Sequence, residues 1–381
     1  MQDYRSLLFI SAVWLSGLAT AGQMSAQAPA QAPARATLRD TFRDAFLIGA
    51  AVNVPQITGV DTLSDAIITQ QFDSISPENV MKWEVIHPRP DAYDFDLADK
   101  YVEFGSKNHM FIVGHNLCWH SQTPGWVFKD SKGDPISREA LLERLHDHIK
   151  TVVGRYKGKI GSWDVVNEAL NEDGTLRQSQ WEKILGDDYL IKAFEFAHEA
   201  DPSVLLTYND YNLESLAKRK GAIELVKKLK AAGVPIAIVG NQGHLQLDSP
   251  SLQDEEATIT DLAAAGVKVA ITELDIDVLP SAWGHTADVS LNIQQNTKLN
   301  PYPNGLPEDV QQALAKRYAD LFAVFWKHRD VVTRVTLWGV TDRESWLNNW
   351  PVRGRTSYPL LFDRDGKPKA AFDAVLMTAK N

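Results

Sequence analysis

The chain has 381 residues, with 39 basic and 49 acidic side chains and a formal charge of −10 at pH 7. A content of 44% hydrophobic and 23% charged residues excludes a disordered chain, and the acidic balance offers no basic stripe for nucleic acid or an anionic membrane. The one cysteine, Cys118, rules out an intrachain disulfide and a four-cysteine zinc site, and no apolar run reaches the roughly 18–20 residues that span a bilayer.

Residues 1–28 read as an export signal. Arg5 and the amino terminus open it with positive charge, Leu7 to Ala21 is mostly apolar, and Ala26-Gln27-Ala28 offers a small-x-small cleavage site. Residues 29–37 continue as an Ala/Pro/Gln-rich tether with nothing to bury. The mature chain is expected in the periplasm or outside the cell, without a membrane partner.

Residues 38–381 contain no further linker, so a single domain is expected, of a length within reach of one α/β barrel. Short apolar runs recur at Phe46–Ala51, Ser74–Pro77, Met110–Leu117, Ser162–Asn167, Val204–Tyr208, Ile236–Gly240, Val267–Thr272 and Arg334–Gly339. Several are apolar at nearly every position, as buried parallel strands are. Helical patterns lie between them. After Ser137, a plausible N-cap, Leu141, Leu145, Ile149 and Val152 recur at helical spacing. Ile223, Val226 and Leu229 repeat the pattern before Gly233, a helix stop. Val310, Leu314, Leu321 and Phe325 mark a helix opening at Pro307. Strand and helix in alternation predict a (β/α)8 TIM barrel. An open doubly wound sheet is the rival, but the first run lacks a glycine-rich phosphate loop.

Barrel chemistry sits where strands end and βα loops begin. The second run ends in Pro77-Glu78-Asn79, followed by Lys82, and the third in His115 through Gln122. The fourth ends in Asn167-Glu168 and the fifth in Asn209-Asp210-Tyr211-Asn212. The sixth leads to Gln242 and His244, the seventh to Glu273 and Asp275, the eighth to Trp338 and Trp346. Two glutamates on different strands, among amides and tryptophans, suit cleavage of a glycosidic bond. One carboxyl protonates the leaving oxygen, and the other attacks the anomeric carbon or activates a water. Trp119, Trp338 and Trp346 offer faces for sugar rings, and the amides, histidines and lysine offer partners for hydroxyls.

These residues carry a resemblance. WDVVNEA (163–169) and ITELDI (271–276) look like the acid/base and nucleophile motifs of glycoside hydrolase family 10, the endo-β-1,4-xylanases. PENVMKWE (77–84), GHNLCWHSQTPGW (114–126), YNDYN (208–212), NQGHL (241–245) and WGVTDRESW (338–346) resemble that family's other motifs, in order. Asn116, Cys118 and Asn241 are small departures, none at a position expected to touch sugar.

The resemblance implies that Glu168 is the general acid/base and Glu273 the nucleophile of a retaining double displacement on β-1,4-xylan and xylo-oligosaccharides. Their carboxyls are then expected roughly 5–5.5 Å apart. Charge on Glu273 is expected to keep Glu168 protonated until the glycosyl-enzyme forms. Asp275 follows Glu273 by two positions, as His244 follows Gln242, so a hydrogen-bonded Glu273–His244–Asp275 chain is reasonable. Gln242 is expected near Glu168, with Asn209 bracing it. Asn167 is expected on the 2-hydroxyl of the reacting sugar, which requires a twist or bulge, because strand neighbours face opposite ways. Glu78, Asn79 and Lys82 resemble the set that holds the next sugar, with His115, Trp119 and Gln122 at the reacting one. Tyr211 and Asn212 are expected toward the leaving group, and His120 in a supporting or structural role. Lys82, Trp338 and Trp346 are expected to crowd the place of a glucose hydroxymethyl. The long loops 276–306 and 343–359, with Trp283, Trp350, Arg353 and Arg355, are expected on the substrate side.

No metal or cofactor is expected, and the chain is expected to be a monomer. A metal-dependent hydrolase using His115, His120 and His244 fits poorly, because no cluster has tight ligand spacing. A β-1,4-glucanase on the same barrel and a catalytically silent glycan-binding protein are the remaining rivals.

Overall fold

Each apolar run of the sequence forms a parallel strand in the computed structural model, which describes residues 36–281, 293–294 and 297–379. In chain order the strands are β1 (Leu47–Val52), β2 (Ser74–Pro77), β3 (Phe111–Trp119), β4 (Ser162–Asn167), β5 (Leu205–Asp210), β6 (Ile236–Asn241), β7 (His244–Gln246), β8 (Lys268–Asp277) and β9 (Val332–Leu337). Pairing runs β6-β5-β4-β3-β2-β1-β9-β8, and β6 also pairs with β8. The ring is therefore closed by eight strands, with helices between them. It is a (β/α)8 barrel. The expected export signal and all of the tether but its last two residues lie outside the described residues, as does Trp283.

The helices form where the apolar spacing places them. Ser137 caps the helix Arg138–Arg155 by accepting from the Ala140 amide, which satisfies one orphan donor of the first turn. Leu141, Leu145, Ile149 and Val152 then lie buried along one face. Burying side chains of this size stabilises by about 1.5–3 kcal/mol each. Pro307 stands at the cap, immediately before the helix Glu308–Lys327, rather than within its first turn. Gly233 has φ 77°, a conformation costly for any residue with a Cβ, and it ends the turn after the helix Leu216–Ala231.

Two departures from the sequence pattern shape the lip of the barrel. Strand β8 runs on to Asp277, beyond the apolar run, because β7 pairs with its outer end and His244 stands opposite Asp275. The chain reaches β7 through Gly243, with φ 78°. Strand β3 continues to Trp119, with a register shift against β4 between His115 and Cys118 and a cis peptide bond between His115 and Asn116.

Candidate active site

The C-terminal ends of the strands converge on one recess. It is lined by Glu168, Glu273 and every residue expected to bind sugar except Tyr211 and Asn212. Glu168 directly follows β4 and Glu273 sits within β8. The puzzle of adjacent Asn167 and Glu168 both facing sugar is resolved by the backbone. Strand β4 stops at Asn167, and Glu168 takes φ 55°, which turns its side chain back into the recess.

Glu168 is 5% exposed. Its Oε2 accepts from Trp119 Nε1 at 2.8 Å, and its Oε1 accepts from Gln242 Nε2 at 3.0 Å and Asn167 Nδ2 at 3.2 Å. Burial pushes its pKa up to about 7; the Gln242 bond opposes this, and the buried Asp210 adds to it ahead of Glu273. Charge on Glu273 is therefore a contributor, while burial is the main cause.

Glu273 is equally buried, yet its pKa is lowered. Burial alone would raise it, but the hydrogen bond from His244 and the nearby His115 outweigh that. His244 Nε2 lies 3.2 Å from Glu273 Oε2, and Nδ1 lies 2.9 Å from Asp275 Oδ1. Burial disfavours the imidazolium, but Asp275 and Glu273 overcome it and lift the pKa to about 10. His244 is thus cationic at neutral pH and donates to both carboxylates. Trp346 Nε1 completes the chain by donating to Asp275 Oδ2 at 2.6 Å.

An amide relay joins the two glutamates. Asn209 Nδ2 donates to Glu273 Oε1 and to Asn167 Oδ1, both at 2.8 Å, while Asn167 donates to Glu168. The Asn209 side chain therefore holds Glu273 and Asn167; toward Glu168 it offers only its backbone carbonyl, which accepts the Glu168 amide at 2.9 Å. Thr272 Oγ1 orients the Asn209 amide at 2.6 Å, and Gly240 makes room for it, because a Cβ there would stand 2.3 Å from Asn209 Oδ1.

Beside this pair, Lys82 Nζ donates to Asn79 Oδ1 at 3.0 Å and Gln122 Oε1 at 2.7 Å. Gln122 in turn donates to Glu84 Oε1 at 2.9 Å. Burial raises the Glu78 pKa against the pull of Lys82, and burial lowers that of Lys82 against the pull of Glu78. His115 is oriented by Asp164, with Nδ1 2.9 Å from Oδ2. Trp338 meets the rings of His115 and His244 edge-on, and Trp346 stacks on Trp350 with centroids 4.4 Å apart.

Several expected residues stand elsewhere. Tyr211 is buried outside the recess, where its hydroxyl accepts from Arg177 Nη2 at 2.9 Å. His120 packs edge-on to Trp119 and does not line the recess. Arg355 is buried on Asp277 at 3.1 Å and does not line the recess. Among the described residues no group of three or more His, Cys, Asp or Glu is placed to hold a metal ion.

Sequence reasoning missed Asn53, whose Nδ2 donates to Glu78 Oε2. Its position directly after β1 was the signal, since the first run then also ends in a polar residue. Asp164, Thr272 and Arg177 carried no such signal, because their partners are set by the closure of the barrel and its loops.

Two carboxylates of such opposed proton affinity in a barrel mouth are the equipment of a glycoside hydrolase. The chain belongs to glycosyl hydrolase family 10, which matches residues 37–378. It is 46% identical over 333 residues to an endo-1,4-beta-xylanase A from Xylanibacter ruminicola, covering 87% of this chain and 90% of the relative. A solved endoxylanase of the same family from a sugarcane soil metagenome superposes with a TM-score of 0.87 at 50% identity, covering 89% of this chain and 99% of that one. A mutant structure in complex with xylotriose is similar at 39% identity with a TM-score of 0.81, covering 90% of this chain and 99% of that one.

Proposed function

We propose that this chain is a retaining endo-β-1,4-xylanase in which Glu273 is the nucleophile and Glu168 the general acid/base. The observation that carries the reading is the contrast in partners between two glutamates of equal burial: Glu273 meets the Asp275-backed His244, and the Glu168 carboxyl meets only the neutral donors of Trp119, Gln242 and Asn167. Glu168 keeps its proton to about pH 7, while Glu273 is held ionised by His244. In the first step Glu273 attacks the anomeric carbon as Glu168 gives its proton to the departing oxygen. The ester formed on Glu273 is neutral, so its charge no longer raises the Glu168 pKa. Glu168, now ionised, takes a proton from water, which attacks the same carbon and restores Glu273. Asn167 beside Glu168 is placed for the 2-hydroxyl, a contact that strengthens in the transition state. Glu78, Asn79 and Lys82 hold the next sugar.

Family membership and relatives named as endo-1,4-beta-xylanases support xylan as the polymer. Lys82, Trp338 and Trp346 crowd the glycone side of the recess, which disfavours the hydroxymethyl of glucose. Residues 1–28 act as an export signal, so the mature enzyme works in the periplasm or outside the cell. The test is incubation of the mature chain with soluble β-1,4-xylan and excess chelator, following product lengths over time. Early release of a spread of short xylo-oligosaccharides is expected. Loss of activity on chelation, or release of xylose alone, would refute it. Glu273→Ala is expected to lower kcat by about 10⁴-fold or more on every substrate.

A further inference from the structure

Glu168 holds a left-handed backbone, φ 55°, that a residue with a Cβ adopts rarely and keeps only where its neighbours over-determine it. Those neighbours lie outside the lining of the recess. The Arg177 side chain donates from Nε to the carbonyl of Glu168 at 3.2 Å, and its own amide donates to the carbonyl of Ala169 at 2.7 Å. On the far side of Ala169, the amide of Leu170 donates to Asp210 Oδ2 at 3.3 Å. Arg177 thereby grips both peptides that follow the glutamate, and Asp210 holds the second of them from its other side.

The grip is itself anchored. Arg177 Nη2 donates to the Tyr211 hydroxyl at 2.9 Å, and the Tyr211 amide donates to Asp210 Oδ1, also at 2.9 Å. Lys218 Nζ sits 3.0 Å from Asp210 Oδ1 and 3.4 Å from the centroid of the Tyr211 ring. The guanidinium uses two separate nitrogens to bridge a backbone carbonyl and a phenol. An ammonium group has no such fork. Rotation of the peptide held by Arg177 would swing the Cα–Cβ bond of Glu168, and with it the carboxyl, away from its partners Trp119 and Gln242.

We propose that Arg177 is a positioning residue for general acid catalysis, which aims the Glu168 carboxyl at the leaving oxygen through its hold on the Glu168 carbonyl. The inference rests on the acid/base assignment of Glu168, so the experiment includes a Glu168→Ala control. The rate on an aryl xylobioside with a poor leaving group depends on proton donation, whereas a dinitrophenolate departs without it. For Arg177→Met, kcat/KM on phenyl β-xylobioside is expected to fall about tenfold or more, while that on the dinitrophenyl compound changes less than about threefold. Arg177→Lys is expected to show the same split to a smaller degree, and it decides the matter if the methionine variant does not fold. An equal loss on both substrates would mean a merely structural role, and no loss on either would mean no role; each overturns the proposal. If Glu168→Ala itself shows no dependence on the leaving group, the acid/base assignment fails and the proposal falls with it. A split in Glu168→Ala with none in the Arg177 variants overturns the positioning role alone.

Discussion

Glu168 and Glu273 are the same residue type at the same depth, and only their neighbours separate them. Gln242 donates to Glu168 at 3.0 Å and thereby favours its ionised form. Gln242→Leu removes that bond, so the glutamate should hold its proton to higher pH. With Glu168 as the proposed acid, the alkaline limb of the kcat/KM profile is expected near pH 7 and to move up by about 0.5–1 unit in the variant. A limb that stays in place or moves down would count against Glu168 as the acid. With Glu273 as the proposed nucleophile, the acid limb reports its ionisation and should lie below the ordinary glutamate range.

At the scale of elements, the packing of β3 on β4 leaves no room for change. A Cβ on Gly114 would stand 2.2 Å from Trp163 Cε3, inside any real contact. Gly114→Ala is therefore expected to destabilise by about 1–3 kcal/mol, read from the denaturant midpoint. A shift within experimental error would show that the strands can part at low cost. The loop after β9 presents Trp346, backed by the parallel ring of Trp350. Trimming it tests the source of selectivity. Trp346→Ala is expected to lower xylan hydrolysis several-fold and to raise the ratio of cellulose-like to xylan activity. An unchanged ratio would place the discrimination elsewhere.

Over the whole molecule, stability toward acid depends on histidines that the fold keeps neutral. His148 is fully buried, its ring stacked on Trp83 with centroids 3.6 Å apart, and its Nδ1 lies 3.3 Å from that of His87. Burial, with help from His87, lowers its pKa well below the usual 6.5. The unfolded chain takes up this proton first as pH falls. The stabilisation is therefore complete above about 6.5 and is lost below it, at about 1.4 kcal/mol per pH unit. Urea midpoints between pH 7.5 and 5 should fall accordingly, and His148→Gln should flatten that slope while costing stability at neutral pH. An identical slope in the variant would assign the acid sensitivity to other groups.

The alternation of apolar runs and helical stripes was enough to specify a closed barrel, because parallel strands require crossovers and a barrel places its polar residues at strand ends. Those ends exposed nearly all of the recess in the sequence, since residues such as Glu78, His115 and Trp338 break the apolar pattern where a βα loop begins. The pairing of the two glutamates was also legible, from two carboxylates at the ends of different strands. What the linear pattern does not contain is the direction of each side chain once a strand ends. The contacts of His244 with Glu273 and Asp275 were legible from the two-residue spacing and gain their register from the added strand β7. Glu168, in contrast, is brought round beside Asn167 only by its left-handed turn. The same holds for Asn209, which faces Glu273 because Gly240 leaves space on the next strand, and for Tyr211, drawn out of the recess by Arg177. Periodicity is local and survives in the sequence. Proton affinity and orientation are sums over neighbours brought together by closure, and these the tertiary structure alone decides.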